Sequence, residues 1–313
     1  MKEESLFPSV TIVTLTYMNF DLIEQTITSV LTQNYANIKY VIIDDGSENF
    51  PLTEIQKIIE KKNINKISVL IEKSSINKGT VAEFNYALSK CKTEFFFPLS
   101  AGDSFIDSNT IKDIVDEMER RKTNFLICSR IRISKNNQYI EKIPSKREIK
   151  YFERRYKTLK QQYYHFLQGE FRNIGSGSAT YYRTSFLNSI NGFDQRYYLW
   201  EDGPFYFETA SLGNILSVNY NICSINYLDG GISSKSSLSK SKIILQEDQN
   251  TFFKNSFEIC KHKKIPLHVK RGVFALYYSS IHKSFKSKIL IHLLFIDVYI
   301  KKWFYRFFSK HSR

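Results

Sequence analysis

The chain has 313 residues, of which 42% are hydrophobic and 15% aromatic, so it can form a sizeable core. Its formal net charge is +14, and most of the excess lies after residue 250, where 14 lysines and arginines face two acidic residues. A nucleic-acid groove would need basic residues spread among aromatic ones. This distribution therefore disfavours a nucleic-acid-binding protein and indicates a basic C-terminal surface.

Cysteine spacing and the N-terminus indicate the compartment. The four cysteines form no C-x-x-C pair, which predicts buried free thiols in a reducing compartment. The first five residues, M-K-E-E-S, are too polar for a signal peptide, and no run of about 18 apolar residues could span a membrane. We therefore expect a cytoplasmic protein.

The first 131 residues alternate between strand and helix patterns. β-Branched and aromatic runs predict strands, and apolar residues spaced three or four apart predict helices. The predicted strands span residues 9–15, 38–43, 67–71, 95–99 and 125–131. The predicted helices span residues 21–32 and 52–62, open at 77–79 and lie around 111–118. Short loops between these elements predict a mostly parallel sheet with helices on both faces.

Polar residues follow three of the predicted strands. Thr16 and Tyr17 follow the first strand, Asp44 and Asp45 the second, and Asp103 the fourth. Open α/β sheets bind ligands outside the carboxyl ends of their strands, so we expect these loops to meet at one crevice. An ion or ligand could bind at the last of these carboxylates; the alternative is that it only caps the following helix.

The pattern changes after residue 131. A charged, tyrosine-rich segment at 142–168 is predicted to be helical, and a glycine-rich stretch at 173–184 leads towards a strand. Acidic residues suit a helix N-terminus, so Glu201 and Asp202 predict a helix that runs to about residue 212. Further predicted elements are strands at 214–219 and 222–227 and a Ser/Lys-rich loop at 229–242.

Residues 243–313 are helical in pattern and strongly basic. Apolar side chains recur at helical spacing, namely Ile289, Leu293, Ile296, Ile300, Trp303 and Phe307. A basic, aromatic, amphipathic helix is typical of an anchor at a membrane surface. The alternatives are a helix that packs on the domain in water and one that pairs two subunits.

An ordered set of short motifs resembles the inverting glycosyltransferases of family 2. The segments are S-V-T-I-V-T-L-T-Y at 9–17, V-I-I-D-D-G-S at 41–47, N-K-G at 77–79, L-S-A-G-D at 99–103, N-G-F-D at 191–194 and E-D at 201–202. The resemblance covers about residues 9–212. It implies the GT-A fold, an α/β domain with a nucleotide-binding, mostly parallel sheet flanked by helices, here with a C-terminal helical appendage.

The resemblance also implies a division of the chain. The expected parts are a GT-A domain over 1–228, with a nucleotide-binding part at about 1–131 and an acceptor-binding part at about 132–228, a flexible loop over 229–242 and a basic amphipathic helical region over 243–313.

Carried over by motif, the resemblance implies a set of nucleotide-binding residues. They are Thr16, Tyr17, Asp44, Asp45, Lys78, Ala101 and Gly102, with Asn77 as a secondary candidate. Thr16 and Tyr17 would lie against the base, and Asp44 or Asp45 would hydrogen-bond the base or ribose. Lys78 would approach the nucleotide or its phosphates.

Two further carboxylates match the chemistry of the family. Asp103 matches the aspartate that holds a divalent ion, Mn²⁺ or Mg²⁺, and Asp202 matches the catalytic base, with Glu201 as a secondary candidate. Relatives often have D-x-D-D where this chain has S-A-G-D, so only one carboxylate is present. Diphosphate oxygens and waters could fill the rest of the ion's shell.

The resemblance implies transfer of a sugar from a nucleotide sugar, most commonly a UDP-sugar, to a saccharide or polyprenyl-linked acceptor in cell-surface polysaccharide synthesis. The cation would neutralise the leaving diphosphate, and Asp202 would deprotonate the attacking hydroxyl with inversion. The basic tail then predicts a peripheral protein on the inner face of the plasma membrane. A non-catalytic nucleotide-binding relative is an alternative, and a nucleic-acid-binding protein is the least favoured one.

Overall fold

The structure is a computed structural model that describes residues 7–134, 136, 138–171, 174–228, 239–282 and 284–311. By its internal contacts the chain divides into two compact units. The first unit is drawn from Met1–Pro144, Gly175–Glu201 and Val218–Lys235. The second unit is drawn from Ser145–Ile174, Asp202–Ser217 and Ser236–Arg313.

The first unit contains one mixed sheet. Its strands are β1 Val10–Thr16, β2 Ile38–Asp44, β3 Ser68–Lys73, β4 Phe95–Ser100, β5 Ser104–Phe105, β6 Phe125–Ile133, β7 Tyr139–Ile143, β8 Thr180–Arg183 and β9 Val218–Leu228. Their order is β3-β2-β1-β4-β8-β6-β9-β5, with β7 paired to β6. The half formed by β3, β2, β1 and β4 is parallel, as the alternating pattern predicts.

The central strands are apolar because helices cover both of their faces. Phe95, Phe96 and Phe97 are completely buried in β4, and β1 is buried over nearly its whole length. Val10 lies opposite both Ile38 and Phe95, so the three parallel strands start in register. Their carboxyl ends therefore reach the same edge of the sheet.

Helices flank this sheet within the first unit. They are α1 Ile23–Leu31, α2 Leu52–Lys62, α3 Thr80–Lys90, α4 Thr110–Arg121 and the short α7 Thr184–Ser189. The apolar faces of α1 and α4 belong to the main core cluster. The buried amide of Gln33 links them, because it donates to the carbonyl of Asp107 at 2.6 Å and accepts from the amide of Ile111 at 3.1 Å.

The second unit is helical. It contains α5 Lys146–Arg155, α6 Leu159–Leu167, α8 Asp202–Ser211, α9 Lys240–His262, α10 Leu267–Ile281, α11 Phe285–Leu294 and α12 Ile296–His311. α6 packs against α8, α9 against α10, and α12 against α5. Helices that the sequence analysis assigns to the acceptor-binding part thus share contacts with the C-terminal helices.

Three predicted elements were wrong in detail. The segment 142–168 is helical only from Lys146, because Lys142 and Ile143 belong to β7, and capping boxes at Ser145 and Thr158 start α5 and α6 separately. The two strands at 214–219 and 222–227 are one strand, β9, whose register shifts opposite Ser129. Residues 229–238 of the predicted loop lie outside the described residues, whereas Lys240–Lys242 already belong to α9, which Ser239 caps.

The apolar residues that recur at helical spacing in the C-terminal region do not lie on one continuous helix. Phe295 has non-helical dihedrals, φ −120° and ψ 31°, and separates α11 from α12. None of the helices in the described part of the chain is long and apolar enough to cross a membrane. The C-terminal apolar surface comprises eight side chains that are 47–63% exposed, namely Ile289, Leu290, Leu293, Leu294, Ile296, Ile300, Trp303 and Phe304.

The predicted thiols are free but not uniformly buried. Cys128 and Cys260 are buried, whereas Cys91 and Cys223 are only partly buried. Burial raises the pKa of the Cys260 thiol to about 11 and the pKa of Cys128 further still. Both buried thiols are therefore protonated and chemically quiet at neutral pH.

A buried histidine makes the second unit sensitive to acid. His165 is 5% exposed, and its ring stacks on Tyr156 with the centroids 4.0 Å apart. Burial, followed by the positive charges of Lys302 and Arg155, lowers the pKa of His165 from 6.5 to about 3. The folded protein thus keeps this imidazole neutral at pH values where the unfolded chain protonates it.

Stability should fall in acid because of His165. Between pH 6.5 and about 3 the unfolded chain binds a proton that the folded chain does not, so the free energy of unfolding decreases as pH falls. The expected slope is about 1.4 kcal/mol per pH unit in that window. Urea unfolding at several pH values measures this slope. His165→Phe should lose the part of the slope that His165 contributes, whereas His262→Phe, which replaces a side chain that is 80% exposed, should keep the wild-type slope. Equal slopes for wild type and His165→Phe would contradict the assignment.

Candidate active site

The loops that follow β1, β2 and β4 are hydrogen-bonded to one another. The amide of Asp45 donates to the carbonyl of Thr16 at 2.9 Å, and the amide of Ala101 donates to the carbonyl of Leu15 at 3.1 Å. The side-chain amide of Asn19 donates to the carbonyl of Ala101 at 3.1 Å. The structure thus brings the three polar loops to one sheet edge, as the sequence analysis expects.

Thr16 and Tyr17 differ in their surroundings. Thr16 is buried, and its hydroxyl donates to the carbonyl of Asn19 at 3.2 Å, which closes the turn after β1. The ring of Tyr17 is 47% exposed at the same edge. An exposed aromatic ring beside buried polar groups offers a stacking surface to a planar ligand.

Asp45 holds the loop that leads into α3. Its two carboxylate oxygens accept the backbone amides of Lys78, at 2.6 Å, and Gly79, at 2.9 Å. Burial raises the pKa of Asp45, and these two hydrogen bonds partly offset that effect. Both oxygens are therefore occupied by the protein itself.

Asp44 retains an acceptor that no described residue satisfies. The side chain is completely buried, and one oxygen, Oδ2, accepts the amide of Ser47 at 2.9 Å. The other oxygen, Oδ1, has no hydrogen-bond partner among the described residues. Buried polar atoms are nearly always paired, so this oxygen is an exception among the buried polar groups at this edge.

Lys78 lies beside a buried carboxylate that the sequence analysis did not identify. Its Nζ is 3.1 Å from Oε1 of Glu83, a side chain with no solvent exposure. The hydroxyl of Ser74 donates to the same oxygen at 2.5 Å, and Nζ of Lys78 donates to that hydroxyl at 3.0 Å. The signal in the sequence was an acid among the apolar residues of α3. A buried carboxylate is stabilised by such a cation, so Lys78 has a structural role. Its side chain is nevertheless 41% exposed.

Asn77 and Gly79 are packed against Tyr198. The phenol of Tyr198 donates to the carbonyl of Asn77, at 3.0 Å, and to its side-chain oxygen. Gly79 has φ +87°, and a Cβ there would lie 2.6 Å from the carbonyl oxygen of Tyr198 and 2.7 Å from its ring. Only glycine fits this position, which explains the glycine of the N-K-G motif.

The loop 100–103 presents a single acidic side chain. Gly102 has φ +102°, and its amide donates to the hydroxyl of Thr26 at 3.0 Å. The amide of Asp103 donates to the carbonyl of Ser100 at 3.0 Å, and the Asp103 side chain is 7% exposed. No group of three or more His, Cys, Asp or Glu residues that could hold a metal occurs in the described part of the chain. Ligands from outside the chain would therefore have to complete a cation shell at Asp103.

Glu201 and Asp202 are adjacent in sequence but belong to different units. In the first unit, Glu201 lies over the backbone of Gly177, where a Cβ would come within 1.9 Å of its Oε1. The glycine-rich segment 173–184 was the sequence signal for this close approach. In the second unit, Asp202 is the first residue of α8, and its Oδ1 accepts the amide of Gly203 at 2.7 Å. A helix N-terminus favours the ionised carboxylate.

Comparison with solved structures defines the fold as GT-A. The S. aureus TarS fragment 1–349 in complex with UDP-GlcNAc aligns with a TM-score of 0.61 and 16% identity, over 93% of this chain and 81% of that chain. A mannosyltransferase, PcManGT from Pyrobaculum calidifontis, in complex with GDP-Man and Mn²⁺, aligns with a TM-score of 0.57 and 14% identity. The alignment covers 97% of this chain and 83% of that chain. At these identities the likeness shows the fold alone.

The family follows from the sequence match. The model of glycosyl transferase family 2 matches residues 11–214, about two thirds of the chain. The chain therefore belongs to glycosyl transferase family 2 and is a glycosyltransferase with the GT-A fold. No match was found among curated protein sequences.

The close approach at Gly79 gives a testable prediction. Gly79→Ala should lower the free energy of unfolding in urea by about 1–3 kcal/mol more than Gly213→Ala, because the added methyl group overlaps Tyr198. Gly213 is a matched control, since its φ is +90° but nothing lies within 4 Å of a Cβ there. Equal losses for the two variants would show that backbone conformation alone, without the Tyr198 contact, demands glycine.

Proposed function

We propose that this glycosyltransferase inverts the configuration of a sugar that it takes from a nucleotide sugar. The observation that carries the proposal is the sheet edge where three polar loops are hydrogen-bonded to one another and where one buried oxygen of Asp44 has no partner among the described residues. A nucleotide base can donate an N–H to this oxygen. Uracil offers such a donor, which supports a UDP-sugar as the donor substrate, and TarS has been captured with UDP-GlcNAc.

The remaining nucleotide contacts follow from the same edge. The exposed ring of Tyr17 would stack on the base, and the buried Thr16 would shape the pocket beneath it. Ala101 and Gly102 would allow the diphosphate to approach the backbone closely. Lys78 would add positive charge near the phosphates while still paired with Glu83.

A divalent cation fits this site only together with its substrate. Asp103 would hold Mn²⁺ or Mg²⁺, with diphosphate oxygens and waters as the other ligands, since no second carboxylate is present in the loop 100–103. Such an ion supplies stabilisation of the negative charge on the leaving diphosphate. The mannosyltransferase PcManGT is known in complex with GDP-Man and Mn²⁺, which supports this assignment.

Asp202 would act as the general base. Its carboxylate accepts the proton of an acceptor hydroxyl while that oxygen forms a bond to the anomeric carbon. The bond from the anomeric carbon to the diphosphate oxygen breaks on the opposite face, so the configuration inverts. Glu201 is the secondary candidate for this role, although its position against Gly177 favours a supporting function.

A second candidate function rests on the sparse metal site. A relative that binds a nucleotide without transferring sugar would need no cluster of carboxylates, and the loop 100–103 has only Asp103. Turnover measurements distinguish this candidate from the enzyme.

Replacement of the proposed general base, Asp202, gives the decisive test. Asp202→Asn should lower sugar transfer by about 10²–10⁴-fold, since it removes the proton acceptor, while nucleotide affinity stays close to that of the wild type. Asp116→Asn, at an exposed ion pair on α4, is the control and should keep full activity. Unchanged transfer by Asp202→Asn would refute the assignment.

The donor and the cation are tested by thermal shift. Nucleotide sugars are ranked by the rise in melting temperature that each causes, with and without Mn²⁺. Asp103→Asn should abolish the part of this rise that depends on Mn²⁺.

The C-terminal helices support a proposal about location. The C-terminal apolar surface is exposed and belongs to a strongly basic part of the chain. We propose that it lies at the inner face of the plasma membrane and brings the enzyme to a saccharide or polyprenyl-linked acceptor of cell-surface polysaccharide synthesis. Pairing of two subunits through the same surface is the competing use.

Membrane attachment is tested by polar substitutions on the exposed surface. Leu293→Ser and Trp303→Ser should each weaken binding to liposomes about tenfold or more, because each removes about 1.5–3 kcal/mol of apolar burial. Ile64→Ser removes a 78% exposed apolar side chain from the first unit and should leave binding unchanged. Variants that change the oligomeric state in size-exclusion chromatography but not liposome binding would favour subunit pairing instead.

A further inference from the structure

The second unit contains a cavity that the proposed transfer reaction does not use. Its volume is about 580 Å³, within the range of about 300–1,000 Å³ that is usual for small-molecule sites. It is lined by residues of α5, α6, α10 and α12 together with Tyr156, Gln168 and Glu170. The acidic and basic lining residues are Arg155, His165, Glu170, His268, Asp297, Lys301 and Lys302.

Positive charge dominates this cavity. Its two acids are already engaged, because Glu170 pairs with Lys302 at 2.9 Å and Asp297 pairs with Arg271 at 2.6 Å. Arg155 and Lys301 form none of the ion pairs found among the described residues. Two cations from two different helices, α5 and α12, thus face one space without a carboxylate of their own.

The buried imidazole of His165 lies in the same positive field. After burial itself, the charges of Lys302 and Arg155 are the causes that lower the pKa of His165. The ring therefore stays neutral and stacks on Tyr156 as part of the cavity wall. An anion would meet the cations of Arg155, Lys301 and Lys302 in this cavity, beside the neutral ring of His165.

The cavity adjoins the C-terminal apolar surface on α12. Residues three or four apart on a helix share a face, so Ile296, Ile300 and Trp303 form one stripe, and Lys301 lies beside it. Phe304 belongs to both, because it is 47% exposed and also lines the cavity. A molecule with an apolar chain and an anionic head could therefore contact the stripe and the cavity together.

We propose that this cavity binds the terminal phosphate or diphosphate of a membrane lipid, with Arg155 and Lys301 as its principal ligands. The inference rests on the proposed attachment of the C-terminal apolar surface to a membrane. A phosphate group has several acceptor oxygens and up to two charges, which suits cations that converge from separate helices. The apolar stripe at the rim selects a lipid over a free phosphate, since a soluble anion would leave it exposed to water.

The test compares two lysines of equal charge. Lys301→Ala removes a cation that lines the cavity, and Lys288→Ala removes one from α11 that does not. The full-length chain is titrated with phosphatidylcholine vesicles that contain either phosphatidic acid, which has a terminal phosphate, or phosphatidylglycerol, matched in zeta potential. Wild-type protein should bind the phosphatidic acid vesicles about tenfold more tightly, as expected for charge-assisted hydrogen bonds. Lys301→Ala should lose this preference, and Lys288→Ala should keep it.

A second variant moves the affinity in the opposite direction. Glu170→Gln releases Lys302 from its ion pair and should tighten binding to phosphatidic acid vesicles several-fold, which mere structural damage would not do. Thermal melting of each variant confirms that it is folded. Equal preference for both lipids in the wild type, or equal effects of Lys301→Ala and Lys288→Ala, would overturn the proposal.

Two further outcomes separate this site from its premise and from a soluble ligand. Absence of binding to every vesicle would refute membrane attachment itself, whereas binding without preference for phosphatidic acid would refute only the cavity. Displacement from phosphatidic acid vesicles by inorganic phosphate, at the concentration of the lipid phosphate, would show that a free anion is the occupant and would also overturn the proposal.

Discussion

The candidate active site depends on one buried carboxylate that holds two backbone amides. Asp45 accepts from Lys78 and Gly79, and through this interaction the loop after β2 positions the start of α3. The cost of burying the charge raises the pKa of Asp45, and the two hydrogen bonds offset part of it. The adjacent Asp44 differs, because its Oδ2 accepts the amide of Ser47 while its Oδ1 has no hydrogen-bond partner among the described residues. Two neighbouring aspartates thus differ in how fully the protein satisfies their carboxylates.

The two units differ in how their basic side chains are paired. In the first unit, the buried carboxylate of Glu83 pairs with Lys78, so a cation next to the loop after β2 is held in place by a carboxylate. In the second unit, basic residues outnumber acids, and two of them face a cavity without a paired carboxylate. An excess of one sign is costly unless solvent or a ligand compensates it. This contrast is why a phosphate ligand is proposed for the second unit as well as the nucleotide for the first.

Much of the fold could be predicted from local patterns, because period-two and period-3.6 apolar spacing reflects burial directly. The strands β1 to β4 and the helices that follow them appear where the spacing places them. The failures have local causes that apolar spacing does not report. Capping boxes at Ser145 and Thr158 start two separate helices within a segment expected to be helical, and the non-helical Phe295 separates α11 from α12. The sequence could place the polar loops at one edge of the sheet. It could not identify the hydrogen-bond donor of each carboxylate oxygen in those loops.

The sequence by itself determined which strands are buried, where their polar ends fall and to which family the ordered motifs point, since these properties depend on neighbouring residues. Only the tertiary structure decided that both oxygens of Asp45 accept hydrogen bonds while one oxygen of Asp44 does not, that Glu83 lies beside Lys78, and that cations of α5 and α12 share a cavity. The physical reason is that hydrogen-bond partners and cavity walls come from segments distant in sequence. The contact from Asp45 to Lys78 already spans 33 positions, and no local pattern encodes which distant donor reaches which oxygen.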